Sequence, residues 1–538
     1  MSSPVSTQRN LARSALVIGA LTSVSRVLGF VRDVLLALAF GTGIAAEAFV
    51  VSFKLPNLFR DMVGEGAMNA AIVPVLAESR SKSGDPDFLK LAAALLNWLT
   101  ALLFVIAVLG VVFAPLVVTA AAPGFHGDPE KFTLTVSLTR SLFPFIFFVG
   151  LSALLMGILN AMGRFASSAA GPALLNCSMI VSLAWLVPGR GVKALAVGVL
   201  VGGILQCGLQ MIALKNALRG AGWQQVIAQG RIRFFGNFER HPGLWRILKL
   251  LGPRLWGSAV YQVSVFVDTI LASFYWIVGA GGQSALYYAS RLFQLPLAVF
   301  GVSLAQAALP ALSDHHARGE ENEYRAALFF SLRNMVYATL PAAVGLAVFS
   351  GSIVRLLFER GNFTAYSTAV TSGALSCYAW GLASCGAVKI LANAFYARHD
   401  TKTPVMLASL SLVVNVVLNL LLMAPLKISG LALATSVSAT LNAVLLYVLL
   451  ARKAGIREHR PFFDSAARSA AAAAVMGAAG LFFLDPWVRS AVAAGAAGHA
   501  ALRLFAAIAA SVAIYWLAGL VFRSEEARHL RRVFTKPS

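Results

Sequence analysis

The stretch SRVLGFVRDVLLALAFG, residues 25–41, is an apolar run that holds three charged side chains, Arg26, Arg32 and Asp33. It continues an apolar segment that starts near residue 15, and together they exceed the roughly 20 residues that a membrane-spanning helix needs. A charged residue at the centre of such a helix costs roughly 2.5–3.5 kcal/mol, so it usually faces other helices or a water-filled cavity. The stretch therefore predicts a transmembrane helix whose charges act inside the protein.

The whole chain shares this character. Of its 538 residues, 58% are hydrophobic and only 12% are charged, whereas soluble domains carry about 25% charged residues. The mean hydropathy of +0.76 excludes a soluble protein. Runs long enough to span a bilayer recur fourteen times, near residues 15–39, 44–62, 91–118, 134–160, 166–187, 194–214, 253–278, 284–311, 326–350, 366–396, 403–425, 429–451, 465–483 and 500–522.

The excess of positive charge follows from membrane topology. The chain has 44 Lys and Arg against 22 Asp and Glu, which in a soluble protein would suggest nucleic acid. In membrane proteins, cations collect in cytoplasmic loops, and here the loops on the side of the termini hold 26 cations while the opposite loops hold 7. We therefore expect both termini in the cytoplasm and no nucleic-acid partner, and 11 cations remain inside apolar runs.

The sequence also repeats itself. Residues 70–78 read AAIVPVLAE and residues 306–314 read QAALPALSD, which aligns Pro74 with Pro310. Further pairs follow in the same order at nearly the same spacing, and they include Asp33 with Asp268, Lys54 with Arg291 and Pro172 with Pro404. Because six helices preserve orientation, the repeats are expected to be parallel. The sequence predicts an all-α polytopic membrane protein of 14 transmembrane helices, with two six-helix lobes around a central cavity and two C-terminal helices.

This architecture is typical of alternating-access transporters more than of channels or enzymes. It divides the chain into five predicted regions. They are an N-terminal lobe at 1–214, a cytoplasmic amphipathic loop at 215–252, a C-terminal lobe at 253–452, a helix pair at 453–522 and a cytoplasmic tail at 523–538.

The charges of the first helix define one part of a candidate binding site. Arg26 and Asp33 are seven residues apart and so share a helix face, whereas Arg32 points elsewhere on an ideal helix. Gly29, midway between the arginines, could relax the turn and let both reach one cavity. The alternative is an Arg26–Asp33 pair that only fastens this helix to a neighbour.

Helices 2 and 8 supply the other part. Glu47, Lys54 and Asp61 form a stripe at successive sevens, Arg60 lies beside it, and Arg291 is the repeat equivalent of Lys54. Arginine forks bind phosphate oxygens bidentately, and these cations outnumber the neighbouring acids. A pyrophosphate-bearing substrate fits best, and a salt-bridge seam between the first two helices is the alternative.

A second cluster carries oxygen atoms. Asp268, Asn415, Asn419 and Thr435 could ligate a small hard cation, and interhelical hydrogen bonding is the alternative. The four cysteines show no paired spacing, so neither disulfides nor a zinc site is expected. The sequence contains no catalytic motif of the metal or nucleotide type, which predicts a transporter and no enzyme.

Residues 25–41, followed by AFVVSFKLPNLFRDMVGEGAMNAAIVPVLAE at residues 48–78, resemble the amino-terminal signature of the MurJ (MviN) family. This family belongs to the MOP exporter superfamily. The resemblance implies two six-helix lobes, a groove for a polyprenyl tail along the last two helices, and lipid II flippase activity in peptidoglycan synthesis. It places the family's cavity residues at Arg26, Arg32, Asp33, Glu47, Arg60, Glu65 and Arg291, and a sodium site of some members at Asp268, Asn415, Asn419 and Thr435.

The resemblance also implies the setting. The expected partners are lipid II (undecaprenyl-pyrophosphate-MurNAc-pentapeptide-GlcNAc), membrane lipids and other cell-wall synthesis proteins, at the bacterial inner membrane. No cofactor is expected, and a monovalent cation such as Na+ and the membrane potential are the two candidate drivers. The alternatives are a flippase for another polyprenyl-linked oligosaccharide of the O-antigen type, a multidrug exporter and a membrane glycosyltransferase.

Overall fold

The computed structural model describes residues 4–62, 68–164, 166–219, 224, 238–239, 241–493 and 497–529. Over these ranges the chain forms helices and no strand, which confirms the predicted all-α class. The chain divides into two compact units, Met1–Ile270 and Leu271–Ser538.

The first unit is built from ten helices within the described ranges. They are α1 (Pro4–Phe40), α2 (Ile44–Met62), α3 (Met68–Val112), α4 (Ala114–Ala121), α5 (Pro129–Leu142), α6 (Pro144–Ala161), α7 (Ala166–Val181), α8 (Val187–Arg190), α9 (Val192–Arg219) and α10 (Pro242–Ala272), the last of which ends just beyond the unit boundary. A 3₁₀ turn (Pro123–Gly127) precedes α5, and a π turn (Ser182–Leu186) joins α7 to α8.

The second unit contains eleven helices within the described ranges. Its helices are α11 (Tyr275–Val278), α12 (Gly282–Pro296), α13 (Ser303–Ala317), α14 (Glu321–Val348), α15 (Ser350–Phe358), α16 (Ala365–Ala379), α17 (Leu382–Ala397), α18 (Lys402–Lys453), α19 (Arg460–Ala479), α20 (Asp485–Ala493) and α21 (Ala497–Val521). Two π turns, Leu297–Val302 and Gly480–Leu484, interrupt the runs that contain α12 and α19.

These helices make a multi-pass membrane protein. In the described part of the chain, nine helical segments are long and apolar enough to cross a bilayer, and the bent pair α16–α17 is a tenth. Helix α18 is one of the nine segments, although its backbone breaks at Lys427 (φ 52°). This break lies between the predicted runs 403–425 and 429–451. The total of 14 spans stays a prediction.

The order of the helices repeats along the chain. The starts of α4, α5 and α7 precede those of α15, α16 and α18 by one and the same interval, and α6 precedes α17 by nearly that interval. In both repeats the fourth long run is interrupted at its middle, at Phe143 between α5 and α6 and at Trp380–Gly381 between α16 and α17. This correspondence of helix ends and breaks supports the internal duplication inferred from sequence.

Close packing holds each unit together. In the first unit, α3 and α6 share a core that includes Leu103 and Leu154, and a Cβ atom on Gly110 would lie 1.7 Å from the Phe143 ring. In the second unit, Leu332 and Ile390 belong to a separate core. Lipid is as apolar as these side chains, so van der Waals contact, more than the hydrophobic effect, fixes the helices within the bilayer.

Each repeat carries an equivalent ion pair ahead of its third long helical span, and in the first unit this pair precedes the backbone break at Gly84 within α3 (φ 82°). Glu78 and Lys82 are 2.7 Å apart in the first unit, and Asp314 and Arg318, at the equivalent positions of the second repeat, are 2.8 Å apart. Both pairs have i, i+4 spacing, which places the partners on one helix face. The alignment of Glu78 with Asp314 therefore extends to their salt-bridge partners.

We expect the turn between α17 and α18 to make folding stability depend on acid pH. Partial burial raises the pKa of Asp400, but hydrogen bonds from Lys453 and from the Thr403 amide and hydroxyl outweigh it and lower the pKa to about 2. A depressed carboxyl pKa stabilises the fold above about pH 3.8 and loses that effect as the pH falls towards 2. After solvent screening the contribution should be about 1 kcal/mol.

Thermal unfolding of the wild type and of Asp400→Asn, in detergent between pH 2 and 7, measures this contribution of Asp400 to stability. The variant should be less stable than the wild type at pH 7 and equal to it near pH 2. Asp314→Asn, which removes the exposed Asp314–Arg318 pair, is the control and should change the unfolding temperature little at any pH. Equal losses in the two variants would contradict the assignment.

Candidate substrate-binding site

The central feature of α1 is a buried polar cluster around Arg32. The Arg32 side chain donates two hydrogen bonds to Asp33 Oδ1, from Nε at 3.0 Å and from Nη2 at 2.7 Å. Both residues are buried, with 7% and 3% of their surfaces exposed. A buried guanidinium group interacts strongly with nearby charges, because little water screens it.

Asn176 of α7 completes this cluster, and the sequence reasoning missed it. Its Oδ1 accepts a hydrogen bond from Arg32 Nη1 at 3.0 Å, while its Nδ2 donates to the Ser25 carbonyl, also at 3.0 Å. A Cβ atom on Gly29 would lie 3.4 Å from the same amide. The signal that could have found it is an asparagine within an apolar run, since intramembrane amides usually bond to another helix.

The Arg26–Asp33 pair that we gave as the alternative does not form. Asp33 pairs with its chain neighbour Arg32, because the long arginine side chain folds back to its neighbour and α7 supplies an acceptor on the same side. Arg26 is exposed, and among the described residues it forms no hydrogen bond or ion pair. Asp33 is buried, so the spacing of seven does not give the two residues the same environment.

Replacing Asn176 by alanine should weaken substrate transport about tenfold while leaving the protein folded. A hydrogen bond to a charged group contributes roughly 1.5–3 kcal/mol, and its loss frees the Arg32 side chain to turn. Initial transport rates in vesicles measure the effect. Asn97→Ala is the matched control, because Asn97 is also buried and donates to Ala93 O of its own helix; equal losses in both variants would contradict a specific role.

The structure corrects the interpretation of Glu47 as a cavity-lining residue. Glu47 forms a buried ion pair with Lys131 of α5, and the two side chains are only 3% and 4% exposed. The Lys131 ammonium also lies 4.2 Å from the centre of the Phe125 ring. The charged stripe in the sequence predicted that Glu47 lies on an inward face of α2. In the structure, this face packs against α5 and the 3₁₀ turn that precedes α5.

The other predicted residues of α2 differ in environment. Lys54 and Arg60 are half-buried, on either side of Pro56 within the helix. Glu65 lies outside the described residues. The first unit contains Arg26, Arg32, Asp33, Lys54 and Arg60.

Arg291 belongs to the second unit. It lies half-buried on α12, five residues before Pro296 and the π turn. Its Nη2 is 3.5 Å from the Tyr287 hydroxyl. The π turn begins six residues after Arg291, and the binding role of Arg291 stays a prediction.

The candidate cation cluster is linked by hydrogen bonds within α18. Asn419 Nδ2 donates to Asn415 Oδ1 at 3.1 Å, and Asn415 Nδ2 lies 3.4 Å from Ser438 Oγ. The Thr435 hydroxyl donates to the Leu431 carbonyl of its own helix. Asp268 lies on α10 in the first unit. Of these bonds, only the Asn415–Ser438 bond crosses the break at Lys427 and so corresponds to the interhelical bonding that we gave as the alternative. Cation binding stays a prediction.

The described residues contain no group of three or more His, Cys, Asp or Glu side chains that could hold a metal ion. The four cysteines are free thiols. Arginine, lysine and amide groups supply the hydrogen-bond donors of the candidate site, and such donors suit binding of an anion.

Comparison with known proteins agrees with this chemistry. The family described as lipid II flippase MurJ matches residues 36–493. The lipid II flippase MurJ of Burkholderia cenocepacia is 37% identical over 454 residues, which cover 84% of this chain and 86% of that protein.

Two solved structures extend the comparison to the fold. A lipid II flippase MurJ in an inward closed conformation is 25% identical, with a TM-score of 0.77 over 96% of this chain and 99% of that one. An inward-facing multidrug resistance transporter of the MATE family, in the MOP superfamily, is 14% identical to this chain. Its TM-score is 0.66 over 82% of this chain and 98% of that one, which shows a shared fold alone. The predicted alternative of another oligosaccharide flippase is not favoured. The chain belongs to the MurJ family of lipid II flippases.

Proposed function

We propose that this protein moves lipid II from the cytoplasmic to the periplasmic leaflet of the bacterial inner membrane. The observation that carries the proposal is the buried Arg32–Asp33–Asn176 cluster within the membrane-spanning part of a chain of this family. An arginine fixed by an amide has its donors arranged before the ligand arrives, which lowers the entropy lost on binding.

The proposal assigns the pyrophosphate to Arg26, Arg32 and Arg291, with Lys54 and Arg60 adding positive charge. Arginine offers paired N–H donors that match two phosphate oxygens. Asp33 occupies one edge of the Arg32 guanidinium group. It would therefore compete with the incoming phosphate, and this competition would let the anion leave after transfer.

The membrane potential is the proposed driver. An anion that leaves an inside-negative cell gains about 2.3 kcal/mol per charge per 100 mV. Sodium bound near Asn415 and Asn419 is the other candidate. Transport measured in vesicles with an imposed potential, in sodium and in choline buffer, separates the two.

A reconstituted assay tests the proposal. Vesicles carry lipid II labelled in one leaflet, and a reagent that cannot cross the bilayer reports its appearance in the other. We expect transport that unlabelled lipid II inhibits and that a polyprenyl-pyrophosphate oligosaccharide without a peptide inhibits less. Equal inhibition by the two would favour the O-antigen type of substrate, and an inactive wild type that is folded by circular dichroism would overturn the proposal.

Survival of a bacterium whose own flippase is depleted, and which expresses this protein instead, tests the same function in the cell.

The setting also predicts both termini on the cytoplasmic side and contact with other cell-wall synthesis proteins. Single cysteines introduced at residues 4 and 529 should react with an impermeant thiol reagent only after the inner membrane is opened.

A further inference from the structure

An aromatic ring lies directly under the guanidinium group of Arg291. Tyr287 precedes Arg291 by four residues on α12, so the two side chains share a helix face. Arg291 Cζ is 4.9 Å from the centre of the Tyr287 ring, and Arg291 Nη2 is 3.5 Å from the Tyr287 hydroxyl. This distance to the ring is within the roughly 6 Å of an attractive cation–π contact.

The ring itself is held by a rigid aromatic cluster. Tyr287 packs edge-on against Tyr288, with ring centres 5.6 Å apart. Tyr288 is fully buried, and its ring lies 5.4 Å from that of Phe358 and 5.7 Å from that of Phe363. The support beneath Arg291 is therefore fixed by the core of the second unit.

The Tyr287 ring restricts how the Arg291 side chain can turn. The ring attracts the guanidinium carbon and its hydroxyl accepts from one Nη atom, and together these two contacts favour one orientation of the planar N–H fork. Holding the side chain in one orientation also removes rotamer entropy that binding would otherwise cost. A neutral aliphatic residue at 287 would provide neither effect.

The first repeat has no aromatic residue at the position that corresponds to Tyr287. Lys54 is the sequence equivalent of Arg291, and the equivalent of Tyr287 is then Val50, a buried aliphatic residue. An ammonium group has no flat face to stack and no fork to orient. The residue four positions before the cation is thus aromatic for the arginine and aliphatic for the lysine.

We propose that Tyr287 is a positioning residue that orients the Arg291 fork for the substrate pyrophosphate. This inference rests on the proposed function and goes beyond it, because it assigns a role to a residue that does not itself contact the phosphate. It predicts that Tyr287 acts only through Arg291.

A double-mutant cycle tests this prediction. Tyr287→Leu removes the ring and Tyr287→Phe keeps it, each in the wild-type and the Arg291→Ala background, with binding of purified lipid II as the measurement. We expect Tyr287→Leu to weaken binding about three- to tenfold and Tyr287→Phe less than about threefold, from the usual strength of a cation–π contact. In the Arg291→Ala background, Tyr287→Leu should have no further effect.

Trp245→Leu is the matched control, because it removes another cation–π contact at i, i+4, to Lys249; it should leave binding unchanged. The positioning role is overturned if Tyr287→Leu binds like the wild type, or if its effect persists without Arg291. If instead Arg291→Ala binds lipid II like the wild type, the proposed function fails at this residue, so the two failures are distinguishable.

Discussion

Replacing Arg291 by alanine is expected to reduce lipid II transport at least about a hundredfold while leaving the yield of folded protein close to that of the wild type. The two N–H bonds of an arginine fork to a phosphate are each stronger than a neutral hydrogen bond, and together their loss should cost about 3 kcal/mol or more. Arg291 is only half-buried, so its removal leaves no large cavity. The initial transport rate in vesicles, normalised to folded protein, is the measurement.

Two further variants make this test specific. Arg291→Lys keeps the charge but loses the fork, and we expect it to recover only part of the rate. Arg318→Ala removes an arginine from an exposed pair of the same unit and should transport at the wild-type rate. A fully active Arg291→Ala protein would contradict the binding role.

The helices were largely predictable because their signal is local. An apolar run of sufficient length has to be helical in a bilayer, where every backbone polar group needs a partner within the segment. The predicted runs 44–62 and 166–187 accordingly agree with α2 and with α7 and the π turn that follows it. The break at Lys427 was also expected, because it lies between the predicted runs 403–425 and 429–451. The breaks at Phe143 and at Trp380–Gly381 were not, because they fall inside the predicted runs 134–160 and 366–396.

The binding site was predictable only in part. Spacing by seven placed Asp33 and Glu47 on inward helix faces, and the cost of a charge within an apolar helix placed Arg32 inside as well. The structure has all three side chains buried. Spacing gives no information about the neighbouring helix. The partners Asn176 and Lys131 are distant along the chain from Arg32 and Glu47, and packing alone brings each pair together.

The buried pair of Glu47 and Lys131 predicts the largest effect on stability. Lys131→Met should lower the free energy of unfolding by about 3–5 kcal/mol, because it leaves the Glu47 carboxylate buried without its counter-charge. The Lys131 ammonium is 4% exposed and the Glu47 side chain 3%, so water cannot replace the lost partner. The midpoint of thermal unfolding in detergent at neutral pH measures the loss.

The double variant Glu47→Met/Lys131→Met distinguishes a charge effect from a packing effect. Removing both charges leaves no uncompensated ion, so this variant should recover most of the stability lost by Lys131→Met alone. Arg80→Met, which breaks the exposed pair with Asp85 at 41% and 44% exposure, should change the midpoint little. If the double variant is as unstable as Lys131→Met, the loss comes from packing around residue 131, including the Phe125 ring, and the buried ion pair is not what fastens α2 to α5.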